Sequence, residues 1–489
     1  MEGSSWTPPY SPYDPTDKQC FAFETVVKRW PVIITGVIDR VYRANHAIHK
    51  DPGLTEDQKT AKIEEGKKVI ETASKLKYEM AHDRTIERLP EDGQPFVKEY
   101  NDALQAFGVR NTWFTAPWLW TECYLYRLIR SWFAQTTLWT TYDPFFDQKC
   151  DAFKSSGKAV FRLAQTMHEL ESEREALASD EAKLQILFNE MLQICLWGNA
   201  TDLSLLTNLT HDDIQKLQTV EKAAQAERAK FILRDDSEKA WQALRNVRKP
   251  GQTEGRVDIV LDNSGFEVFT DLLFADFLVT YAPWVDKVVF HPKSMPWFVS
   301  DVTPQDFSWT LDILSGASDD DDDMEEDDGE GKNEANTKKP DPTEWFGVDV
   351  ADANEFLAPM VARWRKYVAD GTFSLRLDDF WTGFAPYWDL PQPLVDQLND
   401  SSGLVVLKGD LNYRKLTGDV QWPTSTPFEE ALGPLPSRLK TPLVSLRGCK
   451  ADVVVGVTDE EVHRAQTEDS RWRISGRYAL VSFASPSAA

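Results

Sequence analysis

The chain lacks the fingerprints of the common nucleotide folds. It has no G-x-G-x-x-G turn, no G-x-x-x-x-G-K-[ST] loop and no G-x-S-x-G elbow. A dinucleotide fold, a P-loop and a serine-hydrolase elbow are therefore not indicated. Cysteine is scarce and scattered: Cys20, Cys123, Cys150, Cys195 and Cys449 form no C-x-x-C pair, and the count is odd. That excludes a disulfide framework or zinc ribbon and suits a reducing compartment. Basic residues are outnumbered, 54 Lys and Arg against 79 Asp and Glu, for a net charge of −25. Neither nucleic acid nor an anionic membrane is expected as a partner. No apolar run approaches the length needed to cross a bilayer, and MEGSSWTPPYSPYDPTDK has none of the segments of a secretory signal. The expected location is the cytoplasm, with the nucleus as the other option.

What is present is size and aromatic bulk. A chain of 489 residues with 18 Trp and 26 Phe has material for two domains and large cores. Residues 1–18 read as a flexible, extended tail. From there to about residue 250 the pattern is helical. RWPVIITGVIDRVYRANHAIHK spaces its apolar residues at helical intervals behind a Pro suited to a first turn. Thr55 and Gln58 have capping-box spacing at the head of a charged helix. APWLWTECYLYRLIRSWFAQT is apolar nearly all round and predicts a buried central helix.

After about residue 251 short β-rich runs alternate with helical stretches: RVDIVL, DKVVFH, GLVVLKG, ADVVVGV and RYALVSF. This is the pattern of an α/β layer with a mostly parallel sheet, and it continues to about residue 485. Residues 316–341 interrupt it with a low-complexity acidic insertion, expected to be disordered; Ser318–Glu330 alone holds ten acids. It reads as a solvated loop or as a docking segment for a basic protein partner.

Ligands of open α/β sheets bind at the carboxyl ends of the strands. Three polar clusters sit there. LDNSGFE offers Asp262, Asn263, Ser264 and Glu267; PWFVSDVTPQDF offers Asp301; LKGDLNYRKLTGD offers Lys408, Asp410, Asn412, Arg414 and Lys415. Asp262, Asn263 and Asp301 make a hard oxygen-donor set that suits Mg²⁺ or Mn²⁺. Lys408, Arg414 and Lys450 supply cations, and a metal with Lys and Arg around an oxyanion is what phosphoryl transfer requires. Each cluster also has a plain reading: Asp262 and Asn263 as caps of the next helix, Asp301 as a cap before Pro304, the third as a solvated loop. His46 and His49 lack a third ligand and read as surface groups. Glu122, in an apolar helix, reads as paired with an Arg from another helix or as a pocket wall. LWGNATDLSLL reads as a turn closing the helical part.

RWPVIITGVIDRVYR, PWLWTECYLYR, LWGNATDLSLL, LDNSGFEVFTDLLFADFL, PWFVSDVTPQDF, LKGDLNYRKLTGD and LRGCKADVVVGV, in that order, resemble the damage-control phosphatase family, closest to its subfamily III, the acidic-residue methyltransferase-like proteins. The resemblance runs from about residue 20 to about residue 485. It implies a helical domain (19–250) packed on a three-layer α/β/α domain (251–485). It also implies a metal-dependent phosphatase using Mn²⁺, Co²⁺, Ni²⁺ or Mg²⁺ on sugar phosphates such as fructose 1-phosphate and fructose 6-phosphate. By motif it implies Asp262, Asn263 and Asp301 as metal ligands and catalytic groups. Glu267, Asp410, Leu411, Asn412, Tyr413, Arg414 and Lys450 join them as substrate contacts. One departure stands out: the subfamily's Arg-Thr-x-Lys motif appears here as Arg447-Gly448-Cys449-Lys450. Two alternatives belong to other classes: an S-adenosylmethionine-dependent carboxyl methyltransferase, and a non-enzymatic acidic interaction protein.

Overall fold

The computed structural model describes residues 6–198, 229–249, 251–315, 347 and 349–487. The acidic insertion and the part of LWGNATDLSLL beyond Gly198 lie outside the described residues. Among those residues no helix is long and apolar enough to cross a membrane.

The N-terminal part is helical for the reasons its sequence gives. The helix Trp30–Ile48 carries Pro31 in its first turn and buries Trp30, Ile34, Val37, Val41 and Ile48 on one stripe. The helix Glu56–Ala81 starts at the Thr55–Gln58 capping box, with both reciprocal hydrogen bonds made. The helix Trp118–Ala134 is buried almost throughout, at the centre of this core.

Among the described residues seven strands form one sheet: β1 (Ile232–Asp235), β2 (Arg256–Val260), β3 (Lys287–His291), β4 (Phe373–Leu375), β5 (Leu404–Lys408), β6 (Leu443–Gly448) and β7 (Ala479–Ala484). Their order is β1-β7-β6-β5-β2-β3-β4, and all pairs are parallel except β6 with β7. Alternate residues enter opposite cores. Val257, Ile259, Val406 and Val481 face one core with the helices Glu181–Trp197 and Phe266–Tyr281. Val260, Val405, Leu407 and Leu480 face another containing Trp381, Trp388 and Trp472. A sheet buried on both faces explains the unbroken apolar strands and gives the three layers expected.

Three expectations change. The run ADVVVGV forms no strand; Leu443–Gly448 takes the place beside β5. Val453, Val454, Val455 and Val457 are nonetheless buried. Their backbone is satisfied outside any ladder: Val453 O accepts from Arg447, Val455 N donates to the Tyr413 hydroxyl at 3.1 Å, and Val457 N to Thr424 O at 3.0 Å. An apolar run reports burial, not extension. The stretch read as helical to about residue 250 contains β1, too short for a periodicity, and the helices from Gly157 onward pack into the sheet's core. The segment read as a flexible tail is docked from Trp6 onward. Trp6 meets Trp388 edge-on at 4.8 Å, Pro12 bridges Val420, and Asp14 is buried.

One ion cluster joins the helical part to the sheet. Arg414 donates to Glu122 Oε2 at 2.7 Å and to both Asp419 carboxylate oxygens at 3.2 and 2.9 Å, with its guanidinium 3.8 Å from the Trp118 ring centre. All three charged groups are buried. Removing one partner leaves uncompensated buried charge. Arg414→Ala is therefore expected to cost about 3–5 kcal/mol in urea unfolding; a loss below 1 kcal/mol would refute the clamp.

Candidate active site

β2 and β3 pair in register up to Val260 and His291, and their extensions stay together beyond the sheet. Asn263 and Asp301 form an antiparallel bridge, Val302 N donates to Asp262 O at 2.8 Å, and Ser264 N donates to Ser300 O at 2.7 Å. Backbone pairing thus brings two of the polar clusters into contact. β5, on the other side of β2, delivers the third. Gly409 follows it with φ +82°, and a Cβ there would strike the Asp262 carboxylate. Glycine is required at this position for both reasons.

The capping readings do not hold. The helix Phe266–Tyr281 is entered through Gly265 with no side-chain cap, so Asp262 and Asn263 are not cap residues. The helix Pro304–Leu314 is capped by Thr303 and Asp306, not by Asp301.

Asp262, Glu267, Asp410, Gly448 and Lys450 line a small cavity of about 30 Å³ at the strand ends. The Asn263 amide organises its edge. Nδ2 donates to Asp262 Oδ2 at 2.7 Å and to Glu267 Oε2 at 2.8 Å, while Oδ1 accepts from the Ser300 hydroxyl. Glu267 lies 3.1 Å from Lys408 Nζ, and Asp301 Oδ2 lies 3.2 Å from Lys293 Nζ. Asp262 and Asp301 are buried. Burial, with Glu267 and Asp301 beside it, holds the Asp262 carboxyl well above the usual range. Burial pushes Asp301 up to about 6 against the opposing pull of Lys293.

These carboxyls are short of positive charge, and the structure says where more would fit. Asp301 Oδ2 is buried beside Lys293 Nζ at 3.2 Å, and burial still holds its carboxyl above the usual range. Among the described residues no three His, Cys, Asp or Glu side chains converge as a ready-made metal cluster. The donor set is instead two carboxylates and an amide, which matches a hard cation that keeps most of its ligands as water and phosphate. Turning the Asn263 amide over would place its oxygen beside Asp262 and its nitrogen on Ser300 Oγ, which accepts as readily as it donates. The residues present fit a divalent cation.

The chain matches the family model described as the damage-control phosphatase ARMT1-like domain over residues 25–465. It is 32% identical to the Damage-control phosphatase ARMT1 of Danio rerio, covering 99% of each chain. It is 31% identical to the protein of that name from Homo sapiens, covering 96% of this chain and 97% of the human one. The chain belongs to the ARMT1-like damage-control phosphatase family. A DUF89 family protein from Pyrococcus horikoshii also aligns, over 92% of this chain and 97% of its own, at 11% identity and a TM-score of 0.35.

In this ARMT1-like chain the third cluster divides. Asp410 lines the cavity and accepts from Arg447 Nε at 2.8 Å and Lys450 N at 3.2 Å. Leu411 packs into the helical core. Asn412 accepts from the Tyr387 hydroxyl and donates to Lys408 O at 2.7 Å; the Tyr413 hydroxyl donates to Val455 O at 3.4 Å. Arg414 is held by Glu122 and Asp419. Residues 411–414, expected as substrate contacts, thus make structural contacts here, and Asp410 is the member of this segment that lines the small cavity. Lys408 is likewise a brace, 2.6 Å from Asp271 and from Cys195 O. Glu122 meets both of its readings, paired with Arg414 and lining a larger cavity. His46 and His49 are exposed.

Sequence reasoning passed over Lys293, Ser300 and Gly409. Lys293 follows β3 at the same sheet edge and donates to Leu261 O at 2.6 Å, so the strand-end rule contained its signal. Ser300 had none.

Lys415 shows what burial does to a cation here. It donates to Phe380 O at 2.8 Å and lies 4.5 Å from that ring, and burial pushes its pKa down to about 7. The unfolded chain holds this proton up to the ordinary lysine value, so Lys415 makes folding less favourable at and below pH 7. Stability is regained as pH rises from about 7 toward 10.5. Lys415→Met is expected to raise stability by roughly 2–4 kcal/mol at pH 6.5, with the gain shrinking toward pH 10. Denaturant titrations across that range check it, and a gain independent of pH would contradict the assignment.

Proposed function

We propose that the chain is a metal-dependent phosphomonoesterase acting on sugar phosphates such as fructose 1-phosphate and fructose 6-phosphate. The observation that supports this reading is the convergence of Asp262, Asn263 and Asp301, whose two carboxyls are held above their usual range by burial despite the nearby Lys293, beside a cavity walled by Asp410 and Lys450. Asp262, Asn263 and Asp301 would hold the cation, which can be Mn²⁺, Co²⁺, Ni²⁺ or Mg²⁺. When bound it neutralises charge on the phosphoryl oxygens.

The chain's own residues do the rest. Lys450 neutralises a non-bridging oxygen. Asp410, fixed by Arg447, is placed to take or deliver a proton at the phosphate end of the cavity. Lys408 holds Glu267 toward the Asn263 amide, and Lys293 holds Asp301 in place. Burial removes competing water and strengthens each of these contacts. A carboxyl methyltransferase finds less support. The turn after β2 is filled by the Asp262 and Asn263 side chains, where a methyl-donor nucleotide would use bare backbone.

The test is phosphate release from a panel of sugar phosphates in EDTA, then with each metal restored. Metal-restored release is expected. Asp301→Ala should lower kcat/KM by at least about 10²-fold while far-UV circular dichroism stays unchanged. Undiminished turnover in that variant would remove Asp301 from the site.

A further inference from the structure

The small cavity cannot hold a whole sugar phosphate. Its 30 Å³ admits a water or an ion. A second cavity, of about 510 Å³, lies across the Asn263 amide. The amide nitrogen faces Asp262 and Glu267, which line the small cavity, and the amide oxygen faces Ser300, which lines the large one. The larger volume is in the range of small-molecule sites, and its walls have the usual mixture of aromatic and polar groups. Phe298 stacks on Tyr126 at 4.7 Å and 24°.

Two features set this cavity apart from packing leftovers. The first is backbone conformation. Phe298 and Val299 adopt φ of +43° and +69°, which a β-branched residue rarely tolerates, and the turn they form leads directly into Ser300 and Asp301. Such outliers cluster at ligand sites. The second is charge. Lys28, Arg29 and Arg40 all line the cavity in a chain of net charge −25. Arg40 is occupied by Pro144 O and Gln148, and Lys28 is 3.7 Å from Glu24. Arg29 has no carboxylate partner among the described residues and lies 5.1 Å from the Phe21 ring centre. It ends a π-turn, Thr25–Arg29, an irregularity common at functional sites. Glu122, the acid on this wall, is already neutralised by Arg414 at 2.7 Å.

We infer that the large cavity receives the part of the substrate beyond the phosphoester, and that Lys28 and Arg29 select molecules carrying a second anionic group there, as a sugar bisphosphate does. This rests on the phosphatase reading of the small cavity.

The experiment compares the full-length wild type with two variants. Lys28→Glu with Arg29→Glu reverses exposed charges. Gly36→Leu plugs the cavity from a helix face where the nearest atoms to an added Cβ are those of the Arg40 guanidinium, at 3.1 Å. Kinetics with a hexose monophosphate and a hexose bisphosphate are read alongside calorimetric binding of the bisphosphate in EDTA. The charge reversal is expected to lower the bisphosphate-to-monophosphate ratio of kcat/KM about tenfold. The plug is expected to raise KM for both and to weaken metal-free binding. Turnover with an unchanged ratio and unchanged KM in both variants would overturn the assignment. No turnover by the wild type, with metal-free binding still lost in both variants, would instead overturn the phosphatase reading and leave the cavity as an anion site. Neither turnover nor binding by the wild type would overturn both.

Discussion

Everything at the strand ends turns on one electrostatic constraint: carboxylates are buried together. Asp262, Glu267 and Asp301 are all buried, and Glu267 and Asp301 both raise the cost of ionising Asp262. A fold maintains such a group only if the chain forces the proximity and something compensates. The backbone supplies the force through the Asn263–Asp301 bridge and the hydrogen bonds on either side of it. Lys293 and Lys408 supply part of the compensation, each spent largely on a neighbour: Lys293 on Leu261 O, Lys408 on Asp271. The remainder is uncompensated, which is why the Asp262 carboxyl stands well above its usual range.

The same constraint explains why so much basic character near the site is structural. Arg447 donates to Asp410, Ala451 O and Val453 O, and sits 4.2 Å from the Tyr413 ring centre. Arg414 serves Glu122 and Asp419. Each guanidinium fixes a carboxylate or a loop that would otherwise be a buried liability, and its planar fork makes several contacts at once. The small cavity has a lysine, Lys450, at its wall, while Lys28, Arg29 and Arg40 line the large one. Gly448 lines the small cavity, needs no left-handed backbone, and a Cβ there would meet nothing within 4 Å. Its missing side chain therefore enlarges the cavity and relieves no strain.

Most of the architecture was legible because burial on both faces of a parallel sheet leaves unbroken apolar runs, and β2, β3, β5 and β7 were read from them. The same signal misled at ADVVVGV, where side chains rather than a neighbouring strand satisfy the backbone. β1 and β4 were too short to carry a pattern. In the site, Asp262, Asn263, Glu267, Asp301, Asp410 and Lys450 were legible from the strand-end rule or from the motifs of the family. The packing of Leu411 to Arg414 was not, because a motif names a segment while a helix decides which of its faces meets the cavity. Ser300 was illegible altogether: its place depends on two residues in left-handed conformations that no local pattern announces.

The overall charge opposes the chemistry, since a chain of net charge −25 repels phosphorylated anions at long range. Screening resolves this. At physiological ionic strength the Debye length is about 8 Å, so distant surface acids act weakly on a ligand that has reached the protein. The cations nearest the two cavities are local: Lys28 and Arg29 line the large one and Lys450 the small one. Under the proposed reading the buried carboxylates would favour a divalent cation, and a held cation would reverse the sign of the site for the anion that follows. On that reading the acids that would exclude a phosphate are the ones that would recruit the cation able to hold it.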